Sequence, residues 1–132
     1  MSENKTGSEV MVLRDDSIEQ PIPTVWRPVF RDIVEAFVAG DYQLKVGVLG
    51  VKNVSEETAA QIRNYIQDYG ATLVALPEET WESSICIWSG TRWDVLVDLW
   101  TQEEGPSDLV LSAQVTEVSP GFVFNIYMVY VP

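Results

Sequence analysis

The chain has 132 residues, 46% of them apolar, with twenty acidic side chains against eight basic ones and a net charge of −12. That length suits one domain with one core, and the apolar share excludes global disorder. The absence of histidine removes the commonest general base, the commonest zinc ligand and every Ser-His or Cys-His nucleophile pair; the single cysteine, Cys86, excludes an internal disulfide framework and a multi-cysteine metal site.

Residues 1–22 are polar, show no apolar period and end in "QPIP". They predict a flexible tail or a loosely packed arm, with residues 23–132 as one domain. The opening "MSENKTGSEV" lacks the basic and then apolar layout of a signal peptide, and no apolar run approaches the ~20 residues of a membrane-spanning helix. The expected compartment is therefore the cytoplasm.

"TVWRPVFRDIVEAFVAGDY" predicts the first helix. Val29, Phe30, Ile33, Val34, Phe37 and Val38 recur in pairs at helical spacing, Pro28 suits the first turn, and Gly40 suits the stop. "KVGVLGVKNV" reads as a short irregular strand or a close-packed loop, and its glycine spacing is not that of a phosphate loop. "SEETAAQIRNYIQDYG" predicts the second helix. Ser55 is its N-cap, Glu56 and Glu57 lie at the positive end of its dipole, and Ala59, Ile62, Ile66 and Tyr69 form its apolar stripe. "ATLVAL" predicts a short strand stopped by Pro77, and "PEETW" a turn.

From Ser84 onward the period changes to two. "SICIWS", "RWDVLVDLW", "DLVLSAQVTEV" and "FVFNIYMVYV" predict strands joined by short links, hence an antiparallel meander. The fold class is α+β: two N-terminal helices packed on one face of a mostly antiparallel sheet of four to five strands.

Alternation assigns the faces. Trp93, Val95, Val97 and Leu99 belong to the core; a two-residue turn at Gly90-Thr91 sets Trp88 opposite Trp93 and Cys86 opposite Val95. Cys86 is then a small buried hydrophobe. On the last strand, Phe124, Ile126, Met128 and Tyr130 are expected in the core. The open face carries Asp94, Leu96, Asp98, Trp100, Ser112, Gln114, Thr116, Asn125 and Tyr127, with Glu103, Glu104 and Asp108 in the adjoining turn. Asp94 and Asp98, four residues apart on one strand, stand about 13 Å apart, wider than the ~5–9.5 Å of a glycosidase pair. The acids of the turn lack the alternating ligands of a calcium loop.

The charge is uneven. Residues 64–132 hold ten acids and one base, Arg92, so this half alone is near −9. Such a surface repels nucleic acid and suits a basic protein partner, or serves solubility.

The runs "VSEETAAQIRNYIQDYG", "LPEETW", "WDVLVDLWT", "EEGPSDLVL" and "VYVP" resemble a family of small bacterial proteins of unknown function, over roughly residues 24–132. That resemblance implies a fold and no activity. In size, acidity and helix-then-meander layout the chain is also similar to bacterial toxin-immunity proteins, small acidic cytoplasmic proteins that neutralise one toxin domain, often a basic nuclease. "FVAGDY" after an amphipathic helix is compatible with a cone-shaped fold of the nuclear-transport-factor-2 type, whose usual pocket His or Asp-His pair has no counterpart here.

The expectation is a non-enzymatic acidic protein that masks a basic protein partner, such as a cognate toxin domain. It would use Asp94, Leu96, Asp98, Trp100, Glu103, Glu104, Asp108, Gln114 and Tyr127, with no catalytic residue, cofactor, metal, nucleic acid or membrane. The alternatives are a small-molecule-binding or enzymatic domain with a pocket between helices and sheet, and a homodimer that pairs open sheet faces.

Overall fold

The computed structural model describes residues 9–132. Helix α1 spans Arg27–Val38, follows a single 3-10 turn at Thr24–Trp26, and carries Pro28 in its first turn. Its buried side chains are Phe30, Ile33, Val34, Ala36 and Phe37; of the stripe read from the sequence, Val29 is only partly buried and Val38 is exposed, while Ala36 joins it. Helix α2 spans Glu56–Tyr69: Ser55 Oγ accepts from Thr58 N at 3.1 Å, and Gly70 ends the helix at φ 84°, a left-handed conformation that glycine adopts without a Cβ penalty. Among the described residues no helix is long and apolar enough to cross a membrane.

The strands are β1 Gln20–Pro21, β2 Ile85–Trp88, β3 Trp93–Thr101, β4 Gly105–Val118 and β5 Gly121–Tyr130. They form one five-stranded sheet in sequence order, each pair antiparallel, which makes the fold α+β with the helices N-terminal to the long strands. Trp88 lies opposite Trp93 and Cys86 opposite Val95, the register that the Gly90-Thr91 turn predicts. Ser89 N closes that turn on Arg92 O at 2.8 Å. Trp93, Val95, Val97 and Leu99 are buried, and Asp94, Leu96, Asp98 and Trp100 alternate with them at intermediate exposure. Over the covered face, Trp26 meets Trp93, Phe122 and Phe124 edge-on at 5.6, 5.3 and 6.0 Å, and Phe30 meets Phe124 at 5.6 Å.

Four segments are placed against the expectations. Residues 1–8 of the predicted arm lie outside the described residues, but 9–22 pack on the fold. Gln20 and Pro21 pair with β2, Ile22 is fully buried, and Leu13 bonds to both Gln20 and Trp93. The segment is polar because a strand of two residues needs no stripe; one isoleucine, backbone pairing and the side chains of Gln20 and Trp93 hold it. Second, "ATLVAL" contributes only a single bridge, Leu73 to Thr101, supported by Gln102 N to Thr72 O and Val74 N to Trp100 O. The fifth strand is β1.

Third, β4 begins at Gly105 rather than near Asp108, so the β3–β4 turn is short. Gly105 takes φ 74° there. Between Asp98 and Trp100 the register slips, and the Ser107 hydroxyl bridges the gap, donating to Leu99 O at 2.7 Å and accepting from Leu109 N at 3.1 Å.

Fourth, a bulge in β5 breaks the alternation. Ser112 pairs with Met128 but Ala113 with Ile126, leaving Tyr127 as the extra residue. Beyond it Val129 is buried, while Met128 and Tyr130, expected in the core, pair with Ser112 and Val110 and are only half-buried.

Candidate functional site: the open face of the sheet

One face of the sheet lies against the helices; the other is left uncovered by the described residues. Register places its side chains in rungs. Ile87, Asp94, Gln114 and Asn125 form one, Ile85, Leu96, Ser112 and Met128 the next, and Asp98, Val110 and Tyr130 a third. The middle of the face is therefore apolar and half-exposed, with a carboxylate on each side of Leu96.

Each carboxylate is held. Asp94 Oδ1 accepts from Arg92 Nε at 3.2 Å, so the one base in the acidic half stands beside it, both groups about two-fifths exposed (41% and 44%). Asp98 is fixed through three hydroxyls of the 3-10 turn at Glu78–Glu82 and the residues after it. Thr80 Oγ1 donates to Asp98 O at 2.6 Å, Asp98 N donates to Ser84 Oγ at 2.9 Å, and Ser83 Oγ donates to the carboxylate. Thr80 and Ser84 are buried. Where β2 stops, these hydroxyls replace the missing ladder partner of β3. Next to Asp98, the register slip in β4 opens a hollow of about 480 Å³ lined by Asp98, Trp100, Ser107, Asp108, Val110 and Val131.

Of the predicted site residues, Asp94, Leu96, Asp98, Trp100 and Gln114 share this face, and Asp108 lines the hollow. Tyr127 stands apart at the β5 bulge, 58% exposed. Glu103 and Glu104 do not join them. Glu103 accepts from Thr72 N at 2.8 Å and Thr72 Oγ1 at 3.0 Å, and Glu104 accepts from Tyr69 OH at 2.6 Å. They tie the β3–β4 turn to the end of α2. The Thr72 N–H holds the Glu103 carboxyl below its ordinary value, and the bond to Glu104 holds the Tyr69 phenol above its own.

The face also holds residues that the sequence reading left out. Ile85 and Ile87 alternate with Cys86 and Trp88, so the period of two in "SICIWS" contained them. Met128 and Tyr130 were hidden by the bulge, which leaves no mark in an apolar strand.

The outer edge of β5 is closed. Gln61 Nε2 donates to Val129 O at 2.7 Å and Val129 N donates to Gln61 Oε1 at 3.2 Å, while Phe124 exchanges bonds with Gly50 O and Lys52 N. A side-chain amide here does the work of a peptide group, so this edge does not invite a further strand. Cys86 is fully buried, and burial pushes its thiol up to about 11, which suits packing and not nucleophilic chemistry.

No curated protein and no solved structure matches the chain. A family model described as "Domain of unknown function (DUF7668)" matches residues 34–132, from the middle of α1 through β5. The chain belongs to this family of unknown function.

Proposed function

We propose that the chain is a non-enzymatic binding protein whose open sheet face masks a basic protein partner, in the manner of a bacterial toxin-immunity protein. The observation that carries this reading is the uncovered face itself, with Asp94 and Asp98 flanking Leu96 beside the half-exposed side chains of Ile85 and Met128. An apolar centre with a charged surround is the usual build of a docking patch. The hollow beside it sets the Trp100 indole near the carboxylates of Asp98 and Asp108, a setting that suits a lysine or arginine side chain of the partner. The charge near −9 on residues 64–132 adds long-range attraction.

The test is titration of charge-reversed variants against the basic product of the neighbouring gene. Asp98→Lys inverts a carboxylate that flanks the apolar middle of the face, and Glu35→Lys makes the same change on the solvent side of α1. Asp98→Lys is expected to weaken binding by ~2–5 kcal/mol, and Glu35→Lys to alter mainly the association rate. Equal effects of the two would mean that net charge, and not the face, drives association.

A further inference from the structure

The open face is not of one sign. Asp94 and Asp98 lie on β3. At the other margin, residues 50–52 run along the outer edge of β5, where Phe124 N donates to Gly50 O at 2.8 Å and Lys52 N donates to Phe124 O at 2.9 Å. Lys52 is exposed and lines a hollow of about 220 Å³ with Gln114, Thr116, Val123 and Asn125 of the same face. Arg14, Arg31 and Arg92 are held in ion pairs, and Arg27 donates to Ile22 O and lies over the Trp81 ring. Lys52 has no ion pair among the described residues.

Between these margins the rungs have complementary ends. Asp94 on β3 is level with Asn125 on β5, beside Lys52. Leu96 is level with Met128, and Asp98 with Tyr130. A two-fold axis running along β4 keeps every rung at its level and exchanges its ends, so that β3 of one copy lies over β5 of another. Asp94 then meets Lys52 of the second copy, Leu96 meets its Met128, and the Asp98 carboxylate meets its Tyr130 hydroxyl. The same contacts recur in the opposite direction. Arg92 holds only Oδ1 of Asp94, which leaves Oδ2 for the lysine. A two-fold across the strands would instead set Asp94 over Asp98, acid on acid.

We propose that two copies of this chain pair through their open faces about the axis along β4. The patch of strands and rungs is roughly 20 Å on a side, at the low end of specific interfaces. Each copy also carries a charge of −12. The pairing is therefore weak, with a dissociation constant on the order of 10⁻⁴ M. At low micromolar concentration the face is free, and a basic partner competes with the second copy for it. The pairing needs only the chain itself, so it stands or falls independently of that partner.

The experiment is sedimentation equilibrium of the full chain alone, from micromolar to millimolar concentration. A reversible monomer–dimer equilibrium is expected, with no larger species. Asp94→Lys is expected to weaken it about tenfold, because Lys52 then faces two cations, even though the change lowers the net charge that drives copies apart. Lys52→Glu is expected to weaken it as well. An equimolar mixture of the two variants is expected to recover the dimer, since opposite charges then meet at both contacts. Lys52 is exposed and the Asp94 side chain 44% exposed, so both changes are compatible with folding. Dilution of the ¹⁵N-labelled parent decides the matter without any variant. The amides of Leu96 and Met128 are expected to shift with concentration, and that of Met11, beside Trp26 and Trp93 on the covered side, to stay in place. The proposal is overturned if the parent is monomeric at millimolar concentration or grows past the dimer. It is equally overturned if either variant pairs as tightly as the parent, if the mixture stays monomeric, or if the Leu96 and Met128 amides do not move.

Discussion

Trp93 Nε1 donates to the backbone carbonyl of Leu13, 80 positions earlier in the chain, at 3.0 Å. The same carbonyl accepts from Gln20 Nε2 at 2.8 Å, and Leu13 N donates to Gln20 Oε1 at 2.7 Å. One residue of a polar segment thereby satisfies a core indole and a buried glutamine together.

Removal of residues 1–14 takes that carbonyl away and leaves the Trp93 donor and the Gln20 amide without it. The expected loss is ~1–3 kcal/mol, the cost of a buried polar group left unpaired. Urea unfolding of the truncated chain reads it as a lower midpoint with little change in slope. An unchanged midpoint would mean that the arm contributes nothing to the fold.

Trp93→Ala removes the aromatic that touches Trp26, Trp88 and Phe122 at 5.6, 4.6 and 6.1 Å. Truncation of such a side chain costs ~3–5 kcal/mol out of a typical ~5–15, so the variant is expected to be barely folded at 37 °C. Circular dichroism against temperature checks it, and a parent-like melt would contradict the face assignment of β3.

Glu103→Gln tests the tether between the β3–β4 turn and Thr72. The folded state holds the Glu103 carboxyl below its ordinary value of 4.5, through the Thr72 N–H first. Its contribution is therefore present above the ordinary value and is lost as the pH falls through the lower, folded-state one. The melting temperatures of parent and variant are expected to differ at pH 7 and to converge in acid. A gap that stays constant with pH would place the effect in packing and not in the charge.

Much of this was legible in the chain. Ser55 and Gly70 mark both ends of α2 because capping is local chemistry. The pairing of Trp88 with Trp93 follows from a turn four residues long. The alternation in β3 holds because β2 pairs regularly with it over Trp93 to Leu96 and β4 over Trp93 to Asp98. What escaped depends on contacts distant in sequence. Gln20–Pro21 became a strand only because β2 offers an edge, and "ATLVAL" lost its strand because Thr80 and Ser84 occupy part of the edge of β3. The Tyr127 bulge inverts Met128 and Val129 without any glycine or proline to announce it. At the site, Asp94, Leu96, Asp98 and Trp100 were found together because one strand carries them. Glu103 and Glu104 stand in the turn as read, but their ties to Thr72 and Tyr69, 31 and 35 positions away, were not legible.

The central claim, that the open face docks a basic protein, is tested most directly by hydroxyl-radical footprinting of the chain alone and in complex with that partner. Trp100 and Met128 on the face and Tyr127 at its bulge are oxidisable reporters, and Met11, on the far side, is the internal control. The account predicts that Trp100 and Met128 lose most of their labelling in the complex, with Tyr127 following, while Met11 labels as before. Undiminished labelling of Trp100 and Met128 in a saturated complex, with protection elsewhere, would contradict it.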